Sequence, residues 1–226
     1  MKVNYREVNE NQINMKKILV IVCVALLAVC ALPKGAVAQD KRPQHISFAG
    51  FPVDRTNVQF KINLMARGFR WLEYASAQTP GTDVFIGTFA GKGQTFIHSM
   101  YDSKSKAVYK IKVVFKGTSL DEANKLKLEL RNRLYEKYVN TLSSKYEDET
   151  HQGTQFYRFT LYRDNSDPQF AKGPETLGYI LLYVLKDPTW EEFREEGEEP
   201  SYNVILEYID FIHWDEHNRN LNSEQL

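Results

Sequence analysis

The sequence predicts an α+β fold: two helix-plus-antiparallel-meander repeats that form a curved sheet with the helices on one face. Three observations carry this. Residues 107–116 alternate, with Tyr109, Ile111, Val113 and Phe115 pointing one way and Lys110, Lys112 and Lys116 the other. That is the period of a strand with one buried and one solvated face. From Ser119 or Asp121 to about Lys145, Leu126, Leu130, Leu134, Tyr138 and Leu142 recur four apart, the stripe of an amphipathic helix laid on a sheet. Finally, strand-like runs come in groups that each follow a helix, which segregates helices from meanders.

In order, His45–Val53 reads as a short strand running into a turn at Pro52. Asp54 reads as the N-cap of a helix with apolar positions Val58, Phe60, Ile62, Leu64 and Met65, closed by Gly68 at C′. Strands follow over residues 69–75, 82–90, 94–102 and 107–116. Beside the Leu stripe of the long helix lie Ala123, Leu128, Tyr135 and Val139, and charges such as Lys125, Lys127, Glu129 and Arg131 fill its other faces. Strands return at 154–164, 176–186 and 202–212, the last two separated by the acidic WEEFREEGEEP. The segments are therefore a leader over 1–38, repeats over 39–118 and 119–212, and a polar tail over 213–226 that is expected to fray.

The leader has the features of an export signal. Lys16-Lys17 precede an apolar run from Ile18 to Leu32, and Ala36-Val37-Ala38 supplies the small-x-small cleavage pattern. The run is short of the about 20 residues a membrane span needs, so no transmembrane segment is expected in the mature chain. Met15 is the expected start and Gln39 the expected first mature residue. Both cysteines, Cys23 and Cys30, lie in the leader, and Val22 and Val29 stand where a lipoprotein signal wants a small residue. A periplasmic or secreted location is expected ahead of an outer-membrane lipoprotein, with neither disulfides nor thiolate chemistry.

The whole chain has 29 basic and 29 acidic residues. Residues 1–38 hold five of the cations (Lys2, Arg6, Lys16, Lys17, Lys34) and two of the anions (Glu7, Glu10), leaving 24 against 27. No basic excess points to nucleic acid.

A resemblance enters at Ile46–Phe115. The stretches ISFAGFPVD (46–54), ARGF (66–69), GTFAG (87–91) and VYKIKV (108–113) are similar to those of uncharacterised proteins secreted by gut bacteria. Lys145-Tyr146 and LEYID (206–210) fit the same pattern. Such proteins resemble the tandem helix-plus-sheet repeat of the β-lactamase inhibitor protein and of small outer-membrane assembly lipoproteins. The resemblance implies a non-catalytic, protein-binding scaffold and no particular site residue.

Several stretches suggest chemistry. GTFAGKGQ (87–94) has the glycines and lysine of a phosphate loop, but three residues rather than four separate Gly87 from Gly91, and a strand follows instead of a helix. It reads as a hairpin in which Gly91 and Gly93 supply positive φ. His213 to His217 (HWDEH) has the order of inverted zinc proteases. It falls in the tail after a strand, so His213 and His217 are only weak metal candidates. The acidic segment lacks spaced Ca²⁺ ligands and reads as a recognition loop carrying Trp190, Glu191, Glu195 and Glu196. Glu207 and Asp210 are the acids that interrupt the late apolar strand. Trp71, Tyr74, Tyr101 and Tyr157 are the exposed-aromatic candidates for a binding surface.

The resulting expectation is an exported, non-catalytic module that binds another envelope protein through its open sheet face and loops, without a cofactor. The alternatives are a small envelope enzyme acting on glycans and an envelope-assembly or structural component.

Overall fold

The computed structural model describes residues 45–139, 144–151, 153–162, 176–189 and 199–224. Outside these lie the leader with Cys23 and Cys30, the helix position Leu142, and Trp190, Glu191, Glu195 and Glu196 of the acidic segment. The chain divides into Met1–Lys41 and Arg42–Leu226, and every described residue belongs to the second unit.

The elements in order are β1 (Ser47–Phe48), β2 (Phe51–Pro52), α1 (Asn57–Ala66), β3 (Arg70–Trp71), α2 (Glu73–Ala77), β4 (Thr82–Phe89), β5 (Lys92–Tyr101) and β6 (Val108–Thr118). Then come α3 (Leu120–Leu134) with a π-turn over Tyr135–Val139, β7 (Ser144–His151), β8 (Thr154–Tyr162), β9 (Thr176–Lys186), β10 (Tyr202–Asp210) and α4 (Phe211–Glu224). β1 and β2 form a small hairpin. The other eight strands form one antiparallel sheet in the order β3-β4-β5-β6-β10-β9-β8-β7. The fold is therefore α+β, and two meanders meet where β6 pairs with β10.

The two sheet faces differ. One row crosses seven strands through Trp71, Phe85, Ile97, Val113, Leu206, Leu182 and Tyr157. These side chains share one core with Phe60 and Leu64 of α1 and Ala123, Leu130 and Leu134 of α3. Phe60 and Leu64 of α1 and the stripe of α3 are thus buried against the same layer of aliphatic and aromatic residues, where most of the apolar burial resides.

Local departures from expectation have identifiable causes. α1 starts at Thr56 rather than Asp54, because Thr56 bridges Ala107 and the Asn57 amide donates to the Lys106 carbonyl. Its C-terminus follows the sequence: Gly68 at φ +85° ends it, with Gly68 N–H donating to Met65 O and Phe69 N–H to Leu64 O. Only Phe60 and Leu64 of α1 are buried, whereas Val58, Ile62 and Met65 are exposed. The expected strand over 69–75 shrinks to β3, because Ser76 in α2 donates to Leu72 O and accepts from the Val84 amide. Lys127, expected on a solvated face of α3, is buried under Gln155 Oε1 at 3.0 Å.

The long helix is described as far as Val139, and Ser144-Lys145, expected to be its end, instead open edge strand β7. Its charges suit an edge, since they discourage pairing with another chain. The tail expected to fray is helix α4. GTFAGKGQ is a β4–β5 hairpin, as expected, but the positive φ values fall on Ala90 (+52°), Gly91 (+79°) and Gln94 (+51°), not on Gly93. Phe89 pairs with Lys92 across the two-residue turn Ala90-Gly91, and the register then slips by one residue, with Gln94 beside the slip.

Gly178 is fixed by close approach. It faces Asp210 on β10, and a Cβ there would overlap the Ile209 carbonyl oxygen and press on Ile46 Cγ2 at 3.0 Å. Gly178→Ala should therefore cost at least about 2 kcal/mol in urea unfolding, because the Ile209 backbone and the Ile46 side chain must both move. Gly91→Ala, which meets nothing within 4 Å, should cost only the about 1–2 kcal/mol of a left-handed alanine.

Candidate functional site

The side of the sheet away from α1 and α3 is built from three cross-strand rows. The first runs Ile86, Phe96, Val114, Ile205 and Tyr183. The next runs Val84, His98, Lys112, Glu207, Leu181, Arg158 and Glu147 across seven strands. The third runs Thr82, Met100, Lys110, Ile209, Tyr179, Thr160 and Lys145. Val114, Tyr183 and Ile205 form a second apolar cluster, packed by Phe96, Phe156 and Leu181. Phe156 and Tyr183 meet with ring centroids 4.8 Å apart.

Charge is distributed unevenly over this face. On the β7–β8 side, Glu147 takes Arg158 at 2.8 Å and Lys145 at 2.6 Å. At the centre, buried Glu207 accepts from Lys110 at 3.0 Å and from the Tyr183 hydroxyl. Burial, and then the Glu207 carboxylate, push the Tyr183 phenol far above its ordinary value. On the β5–β6 side, Lys112 and Lys116 have no ion-pair partner among the described residues. Lys116 instead lies 5.0 Å over the Phe96 ring. Burial, then the charges of Lys112 and Lys116, lower the His98 pKa.

A second polar concentration occupies the end of the sheet where β10 finishes. Asp210, fully buried, accepts the Ile46 amide on Oδ2 at 3.1 Å and the His213 amide on Oδ1 at 3.2 Å. His45 Nδ1 lies 3.1 Å from the same Oδ1, and His213 Nδ1 donates to Val108 O at 2.8 Å. The two imidazoles face each other with centroids 4.6 Å apart. One helical turn on, His217 Nδ1 reaches Asp102 Oδ2 at 3.0 Å, and its ring stacks on Tyr109 at 4.1 Å. Asp102 also accepts the Lys104 and Ser105 amides and Asn220 Nδ2. Burial opposes ionisation of Asp102, but these bonds from His217, the two amides and Asn220 outweigh it and hold the carboxyl well below the usual range.

The candidates from the sequence are dispersed. Tyr157 is buried beneath α3, with Lys127 4.9 Å over its ring, so it is not an exposed aromatic. Trp71 packs against the core, donating Nε1–H to Asp83 at 3.2 Å with Lys61 3.6 Å over its ring. Tyr101 also packs against the core, and Tyr74 on α2 is exposed. His213 and His217 lie one turn apart on α4: the His213 ring donates to Val108 O and lies 3.9 Å from Asp210 Oδ1, whereas His217 reaches Asp102. The aromatics that do gather on the face opposite α1 and α3 are Phe96, Phe156 and Tyr183. Their signal was the parity of the lysines in 107–116, because Val114 shares the Lys112 side.

The GTFAGKGQ hairpin and the first turns of α3 enclose an open concavity of about 760 Å³, lined by Lys92, Gln94, Phe96, Lys116, Lys125 and Glu129 among others. Lys92 is held by Glu129 at 3.5 Å, and Ser119 Oγ caps α3 by accepting the Glu122 amide. The helix N-terminus that a phosphate would need is engaged by its own cap.

Comparison of the chain with protein-family models, curated proteins and solved structures returns no match. Among the described residues no helix is long and apolar enough to cross a membrane.

The Asp102 arrangement has a pH signature. A carboxyl depressed in the folded state contributes stability above the ordinary aspartate value of about 4, and that contribution fades as pH falls through it toward the folded value. Asp102→Asn should cost about 2 kcal/mol at neutral pH. In urea titrations the gap from the parent chain should narrow below about pH 4.

Proposed function

We propose that this chain is an exported, non-catalytic binding module that engages another envelope protein through the sheet face opposite α1 and α3. The observation that carries this reading is the juxtaposition on β5 and β6 of an apolar cluster and unpaired cations. Phe96, Val114 and Ile205 sit beside Lys112 and Lys116, neither of which makes an ion pair with a carboxylate among the described residues, although Asp187 lies close enough to sense the Lys116 charge. Such a surface suits a protein with an apolar contact and carboxylates around it, because a complementary charge steers approach while the apolar centre supplies affinity.

The tandem-repeat reading belongs to the same proposal. Each of α1 and α3 is followed by four strands that run from an outer edge of the sheet to its centre. That parallel supports kinship of architecture with the β-lactamase inhibitor protein, although β3 is only two residues long and α2 and α4 are additions.

The test is capture from an envelope extract on immobilised full chain, with and without Lys112→Gln/Lys116→Gln. The parent chain is expected to retain an envelope protein that the double variant holds at least about tenfold more weakly, a difference of about 1.4 kcal/mol. Equal retention by both chains, or turnover of a glycan library without any retained protein, overturns the reading.

A further inference from the structure

We propose that His45, Asp210 and His213 form a binding site for a divalent transition-metal ion of the zinc class. The three residues come from separate places: the segment before β1, the last residue of β10, and the first turn of α4. One ligand atom from each lies within 4.8 Å of the others. Asp210 Oδ1 is 3.1 Å from His45 Nδ1 and 3.9 Å from His213 Nδ1. A tetrahedral ion with bonds of about 2.0–2.1 Å sets its ligands about 3.3 Å apart, within that span.

Hydrogen bonding alone does not account for two imidazoles at this carboxylate. Each oxygen of Asp210 already accepts a backbone amide, from Ile46 and from His213. The buried charge is thereby satisfied without either ring. The rings nevertheless converge with centroids 4.6 Å apart and side chains only 15% and 12% exposed. Neither Nε2 makes a hydrogen bond among the described residues. Two imidazoles and one carboxylate suit Zn²⁺, Ni²⁺ or Cu²⁺, whereas Ca²⁺ and Mg²⁺ demand oxygen. Three protein ligands leave a fourth position to water.

Binding through the two Nδ1 atoms replaces the protons that now face Asp210 and Val108 O, and leaves each neutral ring as its Nε2–H tautomer. No net proton is released while the imidazoles are neutral. His217, the partner the HWDEH spacing offers, lies outside this set, held by Asp102 and stacked on Tyr109.

The experiment uses the untagged full chain, stripped with chelator and titrated with zinc sulfate by calorimetry, with thermal unfolding followed in parallel. Saturation at one ion per chain is expected, with a midpoint of unfolding that rises as zinc is added. His45→Ala and His213→Ala should each weaken uptake by at least about tenfold and abolish the rise. His45→Ala is the decisive variant, because His45 precedes the first strand and makes a single hydrogen bond, and its folding is checked by circular dichroism. His217→Ala should leave zinc uptake intact. Absence of saturable uptake, uptake unchanged in folded His45→Ala, or uptake lost in His217→Ala overturns the proposal.

Discussion

The pairing of β6 with β10 is the constraint on which the rest of the structure depends. A meander of three or four strands with one short helix has little apolar area to remove from water, and a sheet with two free edges invites pairing with other chains. Joining the two meanders at their inner strands turns two incomplete layers into one, so that Phe85, Ile97, Val113, Leu206 and Leu182 form a continuous floor for α1 and α3. The partners are far apart in sequence, so the ladder closes long loops before it yields its packing, a cost in chain entropy that shorter contacts avoid. The apolar match across it, with Val113 opposite Leu206 and Val114 opposite Ile205, makes that closure favourable on both faces at once.

That ladder also sets where the polar groups of the sheet end fall. β10 runs antiparallel to both neighbours, so its last residues arrive beside the start of β6 and the start of β9. Asp210 then faces Gly178, where absence of a Cβ lets Ile46 and the Ile209 carbonyl approach. Its two oxygens hold the incoming chain at Ile46 and the first turn of α4 at His213. His217, one turn further along, finds Asp102 at the β5–β6 turn. Two buried carboxylates thus position the segment before β1 and the helix after β10 relative to the sheet. Their specificity is that of geometry, since a buried charge tolerates few arrangements.

Much of this organisation was legible in the sequence where burial on one side is unopposed. The alternation of 107–116, the stripe of α3 from Leu126 to Tyr138 and the Gly68 stop each follow from a single local rule and lie where the rule puts them, except that Val114 is buried on the lysine side. What stayed hidden depended on register or on a distant partner. SKYEDETH carries no apolar period because an edge strand contributes little to the core, so Ser144-Lys145 read as the end of a helix and the rest as no element. α4 is polar for the same reason, being held by hydrogen bonds and ring stacking more than by a buried stripe. Asp54 was the better N-cap by residue type, and the bridge from Thr56 to Ala107 overrode it. Which aromatics are exposed was not legible, because the side on which Tyr157 or Phe96 falls depends on which strand pairs with which. A shift of one residue exchanges the faces.

The same parity explains why the face opposite α1 and α3 is mixed rather than simply solvated. A wholly apolar layer there would make the sheet sticky in the absence of a partner, and a wholly charged one would offer no contact to bury. The three rows divide the task. Ion pairs around Glu147 blunt the β7–β8 side, where the sheet has a free edge. Glu207 is paired on the same face with Lys110 and accepts from the Tyr183 hydroxyl, so the centre carries no bare anion. Next to Phe96 and Val114, at the junction of β5 and β6, Lys112 and Lys116 make no ion pair among the described residues. An acidic partner docked there would bury apolar area and complete two charges together, whereas docking over the β7–β8 side would first have to break an existing network. The asymmetry of charge, more than the aromatic content, therefore gives this face a direction.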